Sequence, residues 1–276
     1  VSKWIDVELG DIARVTSGGT PDRKTPHYWN GTIPWITTSQ ITFNKISGAS
    51  EFITEEGLEN SSAKIFPINT ILMAMYGQGQ TRGRVSILGI EAATNQACAA
   101  IIVNDKAYFE YVFYYLQSQY KQIREIGHGG NQINLNGEII KSISIPLPPL
   151  HEQRAIAAIL STWDEAITLT TRLIDALQRR KQALMQLLLT GAVRFPGFDG
   201  AWEVSTLEEI SALIESGGTP STQNPDYWNG HIPWITGADF SDQAIGQIRR
   251  YITREAVQNS STKIADAGDV LLVRCW

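Results

Sequence analysis

The chain has 276 residues, a formal net charge of −5, 43% hydrophobic and 18% charged residues. Such a composition excludes a disordered chain and a wholly basic nucleic-acid coat, though not a local basic face. Two cysteines, Cys98 and Cys275, exclude a disulfide framework and a cysteine-built zinc site. At roughly 150 residues per domain the length predicts about two domains. No apolar run reaches the roughly 18–20 residues of a membrane-spanning helix, and the start VSKWIDVELG is no signal peptide, so a cytoplasmic protein is expected.

Residues 1–149 read as a mixed domain rich in short strands. Ser17-Gly18-Gly19-Thr20-Pro21 and Trp29-Asn30-Gly31 are turn chemistry. Ile33-Pro34-Trp35-Ile36 is a short apolar strand whose proline predicts an edge or a strand start. Ile71–Tyr76 and Arg84–Leu88 are strands joined by a hairpin-like glycine-rich loop, Gly77–Gly83. Ala97–Val103 is a further buried strand. Tyr108–Ile126 is a helix with Phe109, Val112, Phe113, Leu116, Tyr120 and Ile123 on one face. His128–Gln132 is a loop, and Ile143–Ile145 a last strand closed by Pro146-Leu147-Pro148-Pro149.

Residues 150–191 differ in kind. Ile156, Leu160, Trp163, Ile167, Thr170, Ile174, Leu177, Lys181, Leu184 and Leu188 follow steps of four and three, a heptad seam with polar breaks at Thr170 and Lys181. A helix this long does not bury its seam alone and needs a partner helix. Residues 192–201 are a linker of turn residues. From residue 202 the chain repeats itself. Thr25–Thr37 and Asn224–Thr236 agree at 10 of 13 positions, and Phe52–Ile65 and Tyr251–Ile264 at 8 of 14, both at an offset of 199. Ser17–Pro21 and Ser216–Pro220 share that offset. The period is too long for a solenoid, so each unit is a domain plus a connector. Between the matched blocks, Thr38–Glu51 and Gly237–Arg250 are nearly unrelated. Either this is a drifting exposed loop, or it is the segment by which two copies of a binding module face different targets.

The Gly77–Gly83 loop lacks the spacing and following helix of a dinucleotide fingerprint. Its polar side chains suit either a bland hairpin or a tip that reads base edges and phosphates. Asn224-Pro225-Asp226-Tyr227 resembles a methyltransferase motif, but its counterpart Thr25-Pro26-His27-Tyr28 destroys it. His151-Glu152-Gln153 lacks the second histidine of a zincin helix, and His27, His128, His151 and His231 form no ligand spacing. No catalytic and no metal-binding constellation is expected. The paired tryptophans, Trp29 with Trp35 and Trp228 with Trp234, are core or stacking platforms, and their identity in both copies favours core. Arg172, Arg179, Arg180 and Lys181 are either a solvated helix face or phosphate contacts.

Three features carry a family resemblance. They are the junction Pro146-Leu147-Pro148-Pro149-Leu150-His151-Glu152-Gln153-Arg154-Ala155-Ile156, the helix end Leu184–Gly191, and the repeated Ser-Gly-Gly-Thr-Pro and Trp-Asn-Gly-x-Ile-Pro-Trp-Ile blocks. Together they make the chain resemble the specificity subunit of type I restriction–modification systems. The resemblance implies an α+β fold: a strand-rich target recognition domain (1–149), a long coiled-coil-forming spacer helix (150–191) and a partial second recognition domain (202–276). Each domain would read one half of a bipartite target in double-stranded DNA. Methyltransferase subunits and a restriction subunit would dock on the scaffold. S-adenosylmethionine, ATP and magnesium would belong to those partners, and catalysis too.

Carried onto this chain, the family's DNA-reaching hairpin implies Gln78, Gln80, Arg82 and Arg84 as contacts. Ser39, Gln40, Asn44 and Lys45 of the divergent segment, and Asn131 and Gln132 of another loop, are further candidates. Ile156, Leu160, Trp163, Ile167, Ile174, Leu177, Leu184 and Leu188 would pair helices. Two full units would need about 398 residues by doubling the period, so the second copy is expected to be incomplete and the chain to self-associate or be completed by another. Two rival readings stay open: a non-catalytic coiled-coil interaction scaffold, and the recognition portion of a fused methyltransferase–nuclease.

Overall fold

The computed structural model describes residues 4–77, 80–126, 134–240, 245 and 248–273. It divides into two units, Val1–Ala183 and Leu184–Trp276. In the first, β1 (Ile5–Glu8), α1 (Leu9–Ile12) and β2 (Ala13–Ser17) lead through a 3₁₀ turn at Pro26–Tyr28 into β3 (Trp29–Ile36). A second 3₁₀ turn, Thr38–Gln40, precedes β4 (Lys45–Ile46), β5 (Glu51–Ile53), α2 (Glu55–Glu59) and β6 (Ile65–Phe66). Then come β7 (Ile71–Ala74), β8 (Val85–Leu88), β9 (Ala92–Thr94) and β10 (Cys98–Val103). The helices α3 (Phe109–Ser118), α4 (Tyr120–Glu125) and α5 (Gly137–Lys141), strand β11 (Ser144–Leu147) and the 40-residue α6 (Leu150–Leu189) close the order. The architecture is α+β.

The apolar runs around Ile71 and Cys98 are continuous because their sheet is covered on both faces. The five strands lie in the order β2-β10-β7-β8-β4, antiparallel except for β4 beside β8. Ile71, Met73, Val85, Ile87, Ala99 and Ile101 face one core, under Val112, Leu116 and Ile123 of the helices. Leu72, Ala74, Leu88, Cys98 and Ala100 face a second core shared with Ile36, Ile41 and Phe66. This is the period-2 alternation of a pleated strand.

The remaining strands form a four-stranded sheet, β5-β3-β9-β6, and a two-stranded one, β1-β11. Strand β3 is interior, flanked by β5 and β9, although it contains Pro34. The proline is tolerated because pairing with β9 begins only at Trp35 and a bulge precedes Ile33. The expected single helix 108–126 also divides, into α3 and α4 at Gln119, which turns Ile123 onto the core.

The repeated motifs are scaffold. Trp35 is buried, donates from Nε1 to the Gly19 carbonyl at 3.0 Å, and meets Trp29 edge-on at 5.1 Å. A Cβ at Gly18 would lie 1.9 Å from the Thr94 carbonyl oxygen, so only glycine permits the close approach.

The second unit holds α7 (Leu207–Ile210), β12 (Ile232–Trp234), β13 (Arg250–Ile252) and α8 (Arg254–Gln258). Strands β12 and β13 pair as β3 and β5 do. Trp234 donates to the Gly218 carbonyl at 3.3 Å and meets Trp228 at 5.0 Å, reproducing the first copy. Val270–Val273, equivalent by the repeat to β7, form no strand, and Val270 and Leu272 are exposed. In the first copy that strand lies between β8 and β10.

Helix α6 is tied to its domain over its first turns. Gln153, 1% exposed, accepts from the Tyr108 backbone N–H at 2.7 Å and donates to the Pro148 carbonyl at 2.7 Å. Ala157 is buried, and Ile156 packs against the first core rather than standing open for a partner helix. The Tyr114 hydroxyl donates to Asp164 at 2.8 Å. From Leu160 onward the seam is uncovered: Trp163 is 65% and Ile167 62% exposed, and Leu160, Ile174, Leu177 and Leu184 are also exposed, with Leu188 half-buried. Among the described residues no helix is long and apolar enough to cross a membrane.

Candidate nucleic-acid interface

Segments far apart in sequence meet at the stem of the β7–β8 hairpin. The ladder runs past the strands: Ala74 N–H donates to Arg84 O at 3.0 Å and Gly83 N–H to Ala74 O at 2.8 Å. Gly77 and Gly83 have φ of 137° and 82°, the left-handed region that glycine enters without penalty. These two residues bound the tip.

The divergent segment Thr38–Glu51 is stitched along the outer side of β8. Phe43 N–H donates to Val85 O at 2.9 Å, and Ile87 N–H to Asn44 O at 3.0 Å. The Ser86 hydroxyl, wholly buried, donates to Asn44 Oδ1 at 2.8 Å and accepts from Thr42 N–H at 3.0 Å. Buried Ile41 and Ile46 anchor the segment in the second core. The segment is therefore no freely hanging loop. Its backbone is fixed, and only its outward side chains are left to vary.

Phe43 itself has φ of 63°, uncommon for a bulky residue. Its ring meets Tyr120 edge-on at 5.1 Å, and the Arg84 guanidinium lies 6.0 Å from its centre. The Tyr120 hydroxyl donates to the Gln80 carbonyl, and Arg84 Nη2 donates to Gln80 Oε1 at 3.4 Å. Gln80 and Arg84 thus meet at the hairpin stem, Asn44 lies beside Ser86 on the adjoining strand, and Lys45 lies farther along β8 against Gly89; Gln80, Asn44 and Lys45 are exposed. Such a set offers amide groups that bond base edges and cations that bond phosphate.

The other candidates fall elsewhere. Arg82 is 5% exposed and turned inward, donating to the Arg124 carbonyl at 2.6 Å. As placed, it secures the hairpin to the end of α4. Ser39 bonds Thr37 at 2.7 Å, and Gln40 donates to the Gly48 carbonyl at 3.2 Å, both within their own segment. Gln78, Asn131 and Gln132 lie outside the described residues. Sequence reasoning missed Phe43 and Ser86, whose partners lie some forty residues away and leave no local pattern. Tyr120 was legible only as an apolar face residue. Cys98 is buried, and burial pushes its thiol up to about 12. Among the described residues no cluster of His, Cys, Asp and Glu could hold a metal ion.

Comparison with known proteins matches residues 1–179 to the type I restriction modification DNA specificity domain. The chain belongs to this family. It is 28% identical over 252 residues to the type I restriction enzyme MjaIX specificity subunit of Methanocaldococcus jannaschii, covering 84% of this chain and 57% of that protein. It is 29% identical over 175 residues to the EcoR124I/EcoR124II specificity subunit of Escherichia coli, covering 62% and 43%. The chain thus spans about half the length of these curated relatives. Among solved structures, the S subunit of a type I restriction–modification system from M. genitalium aligns with TM-score 0.50 at 17% identity, over 67% of this chain and 45% of that one. A chain from a study of complex assembly in the type I R-M system aligns with TM-score 0.50 at 18% identity, over 68% and 46%. These likenesses show the fold. The specificity domain matched at 1–179 takes in the hairpin stem and most of α6.

Proposed function

We propose that this chain is a non-catalytic, sequence-reading subunit of a type I restriction–modification complex. Its first domain reads one half of a split target in duplex DNA through the hairpin and the divergent segment bonded to it, with Gln80, Arg84, Asn44 and Lys45 as the principal contacts and Gln78 as a further one. One observation carries the reading. The segment that diverges between the two copies is bonded to the strand that forms the hairpin, so the variable residues and the hairpin present one surface on a retained scaffold. A module whose copies face different targets needs that arrangement.

In this reading the exposed seam of α6 takes a partner helix. Methyltransferase subunits carry S-adenosylmethionine, the restriction subunit carries ATP and magnesium, and the assembly works in the cytoplasm. Transplanting Gly237–Arg250 in place of Thr38–Glu51 tests the proposal. Mapping methylated bases in DNA from cells that carry the chimera and the cognate methyltransferase should reveal a changed half-site. An unchanged methylated sequence would remove the segment from target reading.

A further inference from the structure

The two copies keep one scaffold but transpose its charge. In the first, Arg23 and Lys24 precede β3, while the outer strand β5 and the start of α2 carry Ser50, Glu51 and Glu55. Arg23 stacks 3.8 Å from the centre of Trp29 and forms an ion pair with Glu51, so cation and anion neutralise each other across the tryptophan. In the second copy the positions of Arg23, Lys24 and His27 hold Thr222, Gln223 and Asp226. The positions of Ser50, Glu51 and Glu55 hold Arg249, Arg250 and Arg254. The edge strand and the following helix start therefore change from three negative charges, Glu51, Glu55 and Glu56, to three positive ones beside one negative, Glu255.

Local stability does not account for the three arginines. Arg254 opens α8, where a cation opposes the helix dipole that Glu55 complements in the first copy. Arg250 lies 5.5 Å from the centre of Trp228 and feels the charge of Asp239, but among the described residues no carboxylate lies within ion-pair distance of it. Arg249 is partly neutralised: it approaches Asp239 at 3.6 Å and donates to the Ala238 carbonyl at 3.1 Å. Asp239 keeps its charge because the Thr236 hydroxyl and N–H donate to it and hold its carboxyl below the usual range. Arg249 and Arg250 flank an open cavity of about 590 Å³, with Trp228, Asn229 and Tyr251 also on its walls.

The equivalent face of the first copy is open to solvent: Arg23 and Glu51 keep 53% and 37% of their side-chain surface exposed. We infer that the β13 edge of the second copy, through Arg250 and Arg254, binds the phosphate backbone of duplex DNA, and that the first copy has no such contact at this edge. The inference rests on the DNA-reading function proposed above. It makes the two copies unequal: one edge is neutral, and the other adds sequence-independent affinity.

The test uses the full chain in complex with its methyltransferase partner and a labelled duplex containing the methylated sequence. Binding is measured across a salt series. The wild-type complex should lose affinity steeply with salt; a flat dependence would overturn the DNA-reading proposal and this inference together. Each phosphate contact contributes about 0.9 to the slope of log affinity against log salt. Arg250→Gln with Arg254→Gln should therefore lower the slope by about 2 and be rescued by lysine at both positions. A steep wild-type slope that the double variant leaves unchanged overturns this inference alone. So does loss of methyltransferase co-purification with the slope intact, which would assign the edge to a protein partner. Each single glutamine variant should lower the slope by about 1, which keeps the test decisive if the double variant misfolds.

Discussion

Arg82 donates its guanidinium N–H to the backbone carbonyl of Arg124 across 42 residues of sequence, at 2.6 Å and beneath the surface. This makes the residue a tie between the hairpin and α4. A charge-assisted bond from a buried group is expensive to remove, because the carbonyl left behind loses its partner. Arg82→Ala should destabilise the first domain by about 1–3 kcal/mol, seen as a lower midpoint in urea. Gln80→Ala should leave the midpoint within about 0.5 kcal/mol and act on DNA binding alone. Equal midpoints for the two variants would contradict this division of roles.

Gln153 is the buried polar residue of the domain–helix junction. Its amide satisfies the Tyr108 N–H and the Pro148 carbonyl at once. Leucine in its place fills similar volume but leaves both backbone groups unpaired. Gln153→Leu should cost about 2–4 kcal/mol, counting roughly 1–3 kcal/mol for each orphaned group with partial relaxation. Gln153→Glu retains the acceptor role toward Tyr108 but buries a carboxylate against the Pro148 carbonyl, so its midpoint should fall at least as far as that of Gln153→Leu near neutral pH and recover partly in acid, where the protonated acid can donate.

The junction should also weaken in alkali. Burial, with the neighbouring Tyr115 and Glu152, pushes the Tyr111 phenol up to about 12. Burial, the hydrogen bond to Asp164 and that carboxylate's charge push Tyr114 up as well. An unfolded tyrosine ionises near 10. Both folded values are raised, so the native state binds more protons than the unfolded state above that pH. Their contribution is complete below about pH 10 and is lost as pH rises from there toward 12. Thermal unfolding should show a falling midpoint across that window. Tyr111→Phe with Tyr114→Phe should flatten the fall, because phenylalanine has no proton to lose.

Much of this architecture is legible in the residues. Continuous apolar runs at Ile71 and Cys98 announce strands covered on both faces, and the 4-3 spacing from Ile156 announces α6. What local pattern leaves out is long-range. Pro34 marks an edge by local rule, yet it sits in an interior strand because the second pairing starts one residue later. Arg82 and Arg84 are indistinguishable in the loop sequence. One is turned inward by a carbonyl on α4, and the other stays half-buried beside Phe43. Gln153 lies within a recognisable motif, but its partners at Tyr108 and Pro148 define its role only once the junction is folded.

The uncovered part of α6 bears on assembly. Trp163 and Ile167 stand one heptad step apart and are 65% and 62% exposed, and Ile174, Leu177 and Leu184 continue the same seam. A row of large apolar side chains on a helix that its own domain leaves bare is the kind of surface that marks a partner interface. Full burial of such a side chain contributes about 1.5–3 kcal/mol, and with roughly two thirds of each still to bury the two together account for at least about 20-fold in association. Trp163→Glu with Ile167→Glu removes that burial and places two carboxylates in the seam. The variant should lose helix pairing, read as a drop in mass by sedimentation of the chain or of its complex. The urea midpoint of the first domain should stay unchanged, since Gln153, Ala157 and the Tyr114–Asp164 bond that secure the helix start are untouched. Unaltered mass and subunit assembly would remove the seam from the interface and leave the exposed tryptophan without a partner.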